Sequence, residues 1–335
     1  MKRMLYLLAA VATLASAGAA RCQDGWKGTS GMLHLERAGT VGRGVLVFSL
    51  GTSYYKSDAL LSSEALGLAS SVDWTEADVD YHFFLSRASL TFGLSDYVEF
   101  SAALGVRNWI RQVPDDFAET DVFETRTRGG IGDTDLLLKL CPPLPTKYVS
   151  LGILGHASFP TGREEAGFTT GATDFGVKGL LSIGFPESRK FVPTRLHFNV
   201  GYRFNKNEDD GYGILNAINP DSSGFYPPAY PKSPVGESDG FNDLFQFGAG
   251  IEFIAMGSSL FAEFTWDNYL NADFEEGDSY YLPGNTSIYT ITPGIKLLSA
   301  KGGGATIAAD INLNPEDNKA FVGVPDWALY FILSF

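Results

Sequence analysis

From about residue 40 onward, apolar residues recur at every second position, and nowhere sustain the i, i+3, i+4, i+7 stripe of an amphipathic helix. The stretch 195–205 is the clearest case. Leu196, Phe198, Val200, Tyr202 and Phe204 share one face, while Arg195, His197, Asn199, Arg203 and Asn205 share the other. Successive strand side chains point to opposite faces, so such a strand has one oily side and one charged side. A strand of a soluble sandwich alternates in the same way, so alternation alone leaves both architectures open.

Spacing separates them. Strands are predicted over 43–56, 79–93, 97–110, 131–141, 147–159, 173–185, 194–206, 242–255, 258–269, 286–299, 303–313 and 325–335. The connections alternate, short at 94–96, 142–146, 186–193, 256–257 and 300–302, long at 57–78, 111–130, 160–172, 207–241, 270–285 and 314–324. An even strand number, with short turns at one end and long loops at the other, is the pattern of outer-membrane barrels. A sandwich has no reason to sort its connections by parity. The expected fold is therefore all-β: a transmembrane antiparallel barrel of 12 strands, with short periplasmic turns and long extracellular loops. The last strand agrees. Trp327, Leu329, Phe331, Leu333 and Phe335 form one wholly apolar face ending in a terminal aromatic, like the C-terminal signal by which bacterial barrels are handed to their insertion machinery.

The N-terminus reads as an address. Lys2 and Arg3 precede the apolar stretch 4–12 and the small-residue run 13–20, the layout of a cleaved secretory signal. A lipid anchor at Cys22 fits poorly because Arg21 stands directly before it. The domain reading is a signal peptide at 1–20, a periplasmic arm at 21–42 and the barrel at 43–335. Losing Lys2 and Arg3 takes the net charge from −14 to −16.

Composition then narrows the function. A strongly acidic chain lacks the basic footprint of a nucleic-acid binder. Two cysteines exclude a disulfide framework and a Cys-rich zinc site. After the N-terminus no apolar run reaches the ~18 residues of a membrane-crossing helix, yet glycine (38) and aromatics (13%) are both abundant, as a barrel with interface girdles and closely packed strands requires.

The segments GIGDTDLLLKL at 130–140, SFPTGREEAGFTTGATDFGVKGLLS at 158–182, FGLSDYVEF at 92–100 and VPDWALYFILSF at 324–335 resemble outer-membrane barrels grouped as MetA-pathway of phenol degradation-like proteins. The resemblance spans about 90–335, on diffuse motifs of Gly, Pro and alternating residues. It implies a channel or transporter role and carries over no functional residue.

If the apolar face of each strand meets lipid, Arg87, Glu99, Arg107, Asp133, Asp135, Lys139, His156, Asp174, Lys178, Arg195, His197, Arg203, Glu252, Glu263, Asp267, Lys296 and Asp310 point inward. A charge on the lipid side costs about 2–4 kcal/mol at the midplane. Of these, Glu99, Arg107, Asp133, Asp135, Lys139, Lys178, Arg195, Arg203, Glu252, Glu263 and Lys296 are the expected pore lining. Two arrangements suit them: opposing walls that orient a permeating solute, or ion pairs that fill the lumen and brace the barrel. Twelve strands lie between the filled eight-stranded barrel and the open 16–18-stranded pore.

The loop 207–241, with Phe225, Tyr226, Tyr230 and its prolines, is stiff enough to fold into the mouth as a plug, to cap it, or to offer an adhesive surface. The acidic loops around Asp115, Glu208 and Asp273 lack EF-hand spacing and read as solvated, self-repelling segments. His156 and Ser158 share a strand face, but no third group orients them for catalysis. The glycines of 129–132 and 248–250 lack a strand–helix nucleotide context and read as barrel packing. Cys22 and Cys141 both fall on the oxidising periplasmic side, where a disulfide is expected to be permitted.

The resulting expectation is an outer-membrane channel for passive transport of small solutes, apolar or aromatic ones foremost. The alternative is a structural or surface-recognition barrel with a blocked lumen, and a lipid-modifying enzyme ranks third. No cofactor, metal or nucleic acid is expected. The expected partners are outer-membrane lipid and lipopolysaccharide, the insertion machinery through Phe335, and a small-molecule solute.

Overall fold

The computed structural model describes residues 25–58, 80–112, 126–162, 173–185, 192–204, 243–255, 258–270, 287–298, 303–314 and 327–335. Twelve strands run in chain order: β1 (Leu46–Asp58), β2 (Asp80–Gly93), β3 (Val98–Gln112), β4 (Arg126–Leu140), β5 (Val149–Phe159), β6 (Asp174–Phe185), β7 (Thr194–Phe204), β8 (Asp243–Ala255), β9 (Ser258–Leu270), β10 (Ser287–Leu298), β11 (Gly304–Asn312) and β12 (Trp327–Ser334). Each pairs antiparallel with its sequence neighbours, and β1 pairs with β12, from Ser49 opposite Ser334 to Tyr55 opposite Ala328, closing the barrel. The last residue joins the closure: the Phe335 N–H donates to the Phe48 carbonyl at 2.8 Å.

Most predicted strands match within three residues. β4 starts five residues earlier than expected, because its ladder with β3 continues past a register shift between Leu104 and Val106. About 9–11 residues cross a bilayer core, so the 15-residue β3 and β4 reach beyond it. The intervals between strands sort by parity, 94–97, 141–148, 186–193, 256–257 and 299–303 against 59–79, 113–125, 160–173, 205–242, 271–286 and 313–326. The short intervals and the start of β1 lie at one rim, which we call periplasmic.

The barrel is apolar outside and polar inside. Leu138, Ile153, Leu260, Leu329 and Phe331 lie on the exterior, whereas Ser101, Glu99, Lys139, His197, Glu263 and Thr292 are buried within. Water on both sides would not support that polarity; a hydrocarbon exterior does.

Residues 25–41 correct the expected periplasmic arm. They fold back from the rim into the lumen as a tight hairpin, with an antiparallel bridge between Gly31 and Glu36. The Trp26 N–H donates to the Leu33 carbonyl at 2.7 Å, and the Arg37 N–H donates to the Ser30 carbonyl at 3.0 Å. The physical reason is burial. Met32, Leu33 and Leu35 pack on Phe261, Ala308 and Ile332, with Trp26 and Tyr330 alongside. Ala38 packs on Leu137, Leu154 and Leu180, and Val41 on Val47. The expected signal peptide, Cys22, the loop 207–241 and the acidic loop runs lie outside the described residues.

Candidate functional site

The lumen wall and the segment inside it form one polar fit. Glu99 on β3 and Lys139 on β4 make a wholly buried ion pair at 2.9 Å. Glu99 also accepts from the Ser30 N–H at 3.0 Å, the Ser30 hydroxyl at 2.9 Å and the Val41 N–H at 2.8 Å. Lys139 donates to the Ser30 carbonyl at 2.9 Å and the Gly39 carbonyl at 3.2 Å. Neighbouring strands alternate face in register, so Glu99 and Lys139 sit directly opposite each other and turn inward together.

On the far wall, Glu263 of β9 receives the turn of the hairpin. Its oxygens accept from the N–H groups of Leu33 at 2.8 Å, His34 at 2.9 Å and Leu35 at 3.2 Å. The His34 ring meets Asp310 of β11 at 2.9 Å, and Lys296 of β10 donates to the Gly31 carbonyl. Between these walls, Glu36 of the segment is held by Lys178 of β6 at 3.2 Å and by the Asn199 amide of β7 at 2.7 Å. The Ala38 N–H donates to Ser182 at 2.9 Å, and Ser101 and Thr91 donate to the Gly28 carbonyl.

Several of the remaining expected lining residues pair along the wall. Asp135 accepts from Arg87 and meets His156 at 2.9 Å. Arg203 donates to Asp174 at 2.6 Å, and Glu252 lies 3.6 Å from Arg195 and 2.8 Å from the Ser259 hydroxyl. Arg107 is exposed. Asp133 sits at the β3–β4 register shift, where the Gly162 N–H reaches it at 3.4 Å. Of the two arrangements open at the level of sequence, opposing charged walls and a filled lumen, the described residues show mainly the second, but the filling is the segment rather than wall charges alone.

Ser158 shares the Asp135 carboxylate with His156. The hydroxyl and the imidazole thus bind the same acid instead of standing in series, and the pair is not arranged as nucleophile and base. Gly248 and Gly250, read as plain barrel packing, leave the space that Leu35 and Met32 fill: a Cβ at either would overlap those side chains.

The chain's own ligating residues, Ser30, His34 and Glu36, were missed. One trace of them existed in the sequence. Leu137 inside LLLKL, Leu154, Leu180 and Phe261 fall on the inward parity of their strands, and an apolar residue facing a lumen needs an apolar partner there. A small cavity remains beside the segment, lined by Lys27, Glu36, Leu154, His156, Lys178, Arg203 and Gln246 among others.

No family model matches the chain, and no curated protein does. Solved structures do. The chain is similar to an outer membrane channel from Pseudomonas putida F1 at 12% identity, covering 89% of this chain and 97% of that one with a TM-score of 0.50. It is also similar to the NanC porin, at 10% identity, 85% and 97% coverage and a TM-score of 0.44. A third likeness is to the Ralstonia pickettii toluene transporter TbuX, at 10% identity, 88% and 89% coverage and a TM-score of 0.41. At 12% identity the likeness to the Pseudomonas putida channel is one of fold alone. The closed 12-stranded antiparallel ladder and the apolar exterior make the chain an outer-membrane β-barrel.

Proposed function

We propose that the protein is an outer-membrane channel for passive transport of small solutes, apolar or aromatic ones foremost, and that its N-terminal segment closes the lumen in this state. The observation that carries the reading is the chemistry of the contact. Buried charges contribute little net stability compared with apolar packing of the same volume, even where they are paired or hydrogen-bonded, so a permanent plug gains little from seating on Glu99, Lys139, Lys178, Glu263 and Lys296 instead of on apolar residues. A lumen that is filled at one time and hydrated at another needs a wall that water also solvates. The inward leucines 137, 154 and 180 support an apolar component in the solute.

The second reading, a structural barrel with a blocked lumen, is favoured by the apolar seat of Met32, Leu33 and Leu35 on Phe261 and Ile332. Planar-bilayer recordings of the refolded protein separate the two. The channel reading expects discrete conductance steps that grow more frequent in Glu263→Gln, which loosens the segment. Silence of both proteins at all voltages overturns it.

A further inference from the structure

The place where the wall receives Glu36 has a chemistry of its own. The Glu36 carboxylate, buried inside the lumen, lies 3.2 Å from Lys178 Nζ through each of its oxygens and accepts from Asn199 Nδ2 at 2.7 Å. Beside it, Leu137, Leu154 and Leu180 turn into the lumen from three consecutive strands, and the segment covers them with Ala38. An ammonium and an amide set next to an apolar floor are the elements that recognise a carboxylate attached to an apolar body.

One further atom points the same way. Arg203 Nε, a donor, is buried and has no hydrogen-bond partner among the described residues. Arg203 and Lys27 also line the cavity that contains Glu36. Buried polar atoms are otherwise satisfied as a rule, so this pocket holds more hydrogen-bonding capacity than the segment uses.

We infer that this pocket is a solute subsite for small monocarboxylates with an apolar or aromatic body, and that Glu36 occupies it as an internal stand-in. In the occupied subsite the solute carboxylate takes the place of Glu36 on Lys178 and Asn199, and the apolar body covers the three leucines. Solute and segment then compete for one site, and binding draws the equilibrium toward the displaced segment by mass action. The inference rests on the channel reading for its physiological sense, but the binding event is independent of conductance.

The test is titration calorimetry of the full refolded chain in detergent micelles with benzoate, and with benzamide as its uncharged counterpart. The wild type is expected to favour benzoate. In Glu36→Gln the internal competitor loses its charge, and benzoate affinity should rise by about tenfold, the scale of one charge-assisted contact. In Lys178→Gln the preference for benzoate should vanish, with Asn199→Ala as a second variant, and each protein is first checked for a folded band that shifts on boiling. Equal affinity for benzoate and benzamide in the wild type and in Glu36→Gln overturns the subsite, whatever the conductance. Charge-selective binding that depends on Lys178 upholds it even where bilayers stay silent, in which case the channel reading alone fails.

Discussion

Substituting Glu263 by Gln isolates the seat of the segment from the stability of the barrel. The carboxylate is 2% exposed and accepts three backbone N–H groups, from Leu33 at 2.8 Å, His34 at 2.9 Å and Leu35 at 3.2 Å. Glutamine has nearly the same shape but only one acceptor oxygen. Two of the bonds change from charge-assisted to neutral, a loss of about 1 kcal/mol each, and one N–H then faces an NH2 donor, which adds about 1–3 kcal/mol. Part of this is offset because a neutral amide costs less to bury than a carboxylate. The net is about 2–4 kcal/mol, or a factor of about 30 to 1,000 in the local opening equilibrium. Hydrogen exchange read by mass spectrometry reports it directly. Peptides covering residues 30–41 should lose protection by that factor, while the β6–β7 ladder exchanges as in the wild type. Unchanged protection at 30–41 refutes the seat. An equal loss across the ladder refutes the separation of segment from barrel.

Two further substitutions probe the same division. At Gly250 a Cβ overlaps Met32 and lies 2.9 Å from Leu35 Cδ1, so Gly250→Val should overpack the seat by about 1–3 kcal/mol. It should speed tryptic cleavage after Arg37, with Gly155→Ala as the tolerated control; equal cleavage rates count against the packing described. On the outer face, Leu329 is 52% exposed, and Leu329→Arg should lower barrel stability by about 2–4 kcal/mol in lipid vesicles, measured by urea titration against Leu329→Ala. An unchanged midpoint would mean that this face does not meet hydrocarbon.

The barrel was legible because its code is local. Period-two alternation along 195–205 and the parity of connection lengths depend on neighbours in sequence, and both survive in the structure as β7 and as the sorted intervals between strands. The lumen was only half legible. Parity turns Glu99, Lys139 and Glu263 inward, and all three are buried, but parity does not say what they bind. Apart from the Glu99–Lys139 pair and the Ser30 hydroxyl, their partners on the segment include backbone groups of Ser30, Leu33 and Val41, which carry no side-chain signature. The segment 25–41 has neither periodicity nor a strand pattern; its place is set by complementarity to charges contributed from separate strands. The traces it left are gaps and misfits on the wall, glycines at 248 and 250 and leucines on the polar face.

The junction between the segment and β1 sets the geometry of any exit. Gly42 and Gly44 have φ of 97° and 74°, in the left-handed region where a side chain is strained, and they turn the chain from the rim back into the lumen. Beyond them the chain belongs to the barrel: the Gly44 N–H donates to the Gly93 carbonyl at 2.7 Å, and the Gly93 N–H donates to the Val45 carbonyl at 2.9 Å. Everything before Gly42 is therefore tethered at the rim of short connections, where β1 begins. On the channel reading, a segment so tethered leaves by swinging toward that rim, the direction in which an inbound solute would push it. The polar bonds it breaks are then replaced by water on both partners, which keeps the net cost of opening well below the sum of those bonds. Its apolar residues, Met32, Leu33 and Leu35, are left with no such replacement, so burial of this small cluster, more than the more numerous hydrogen bonds, sets how strongly the closed state is favoured.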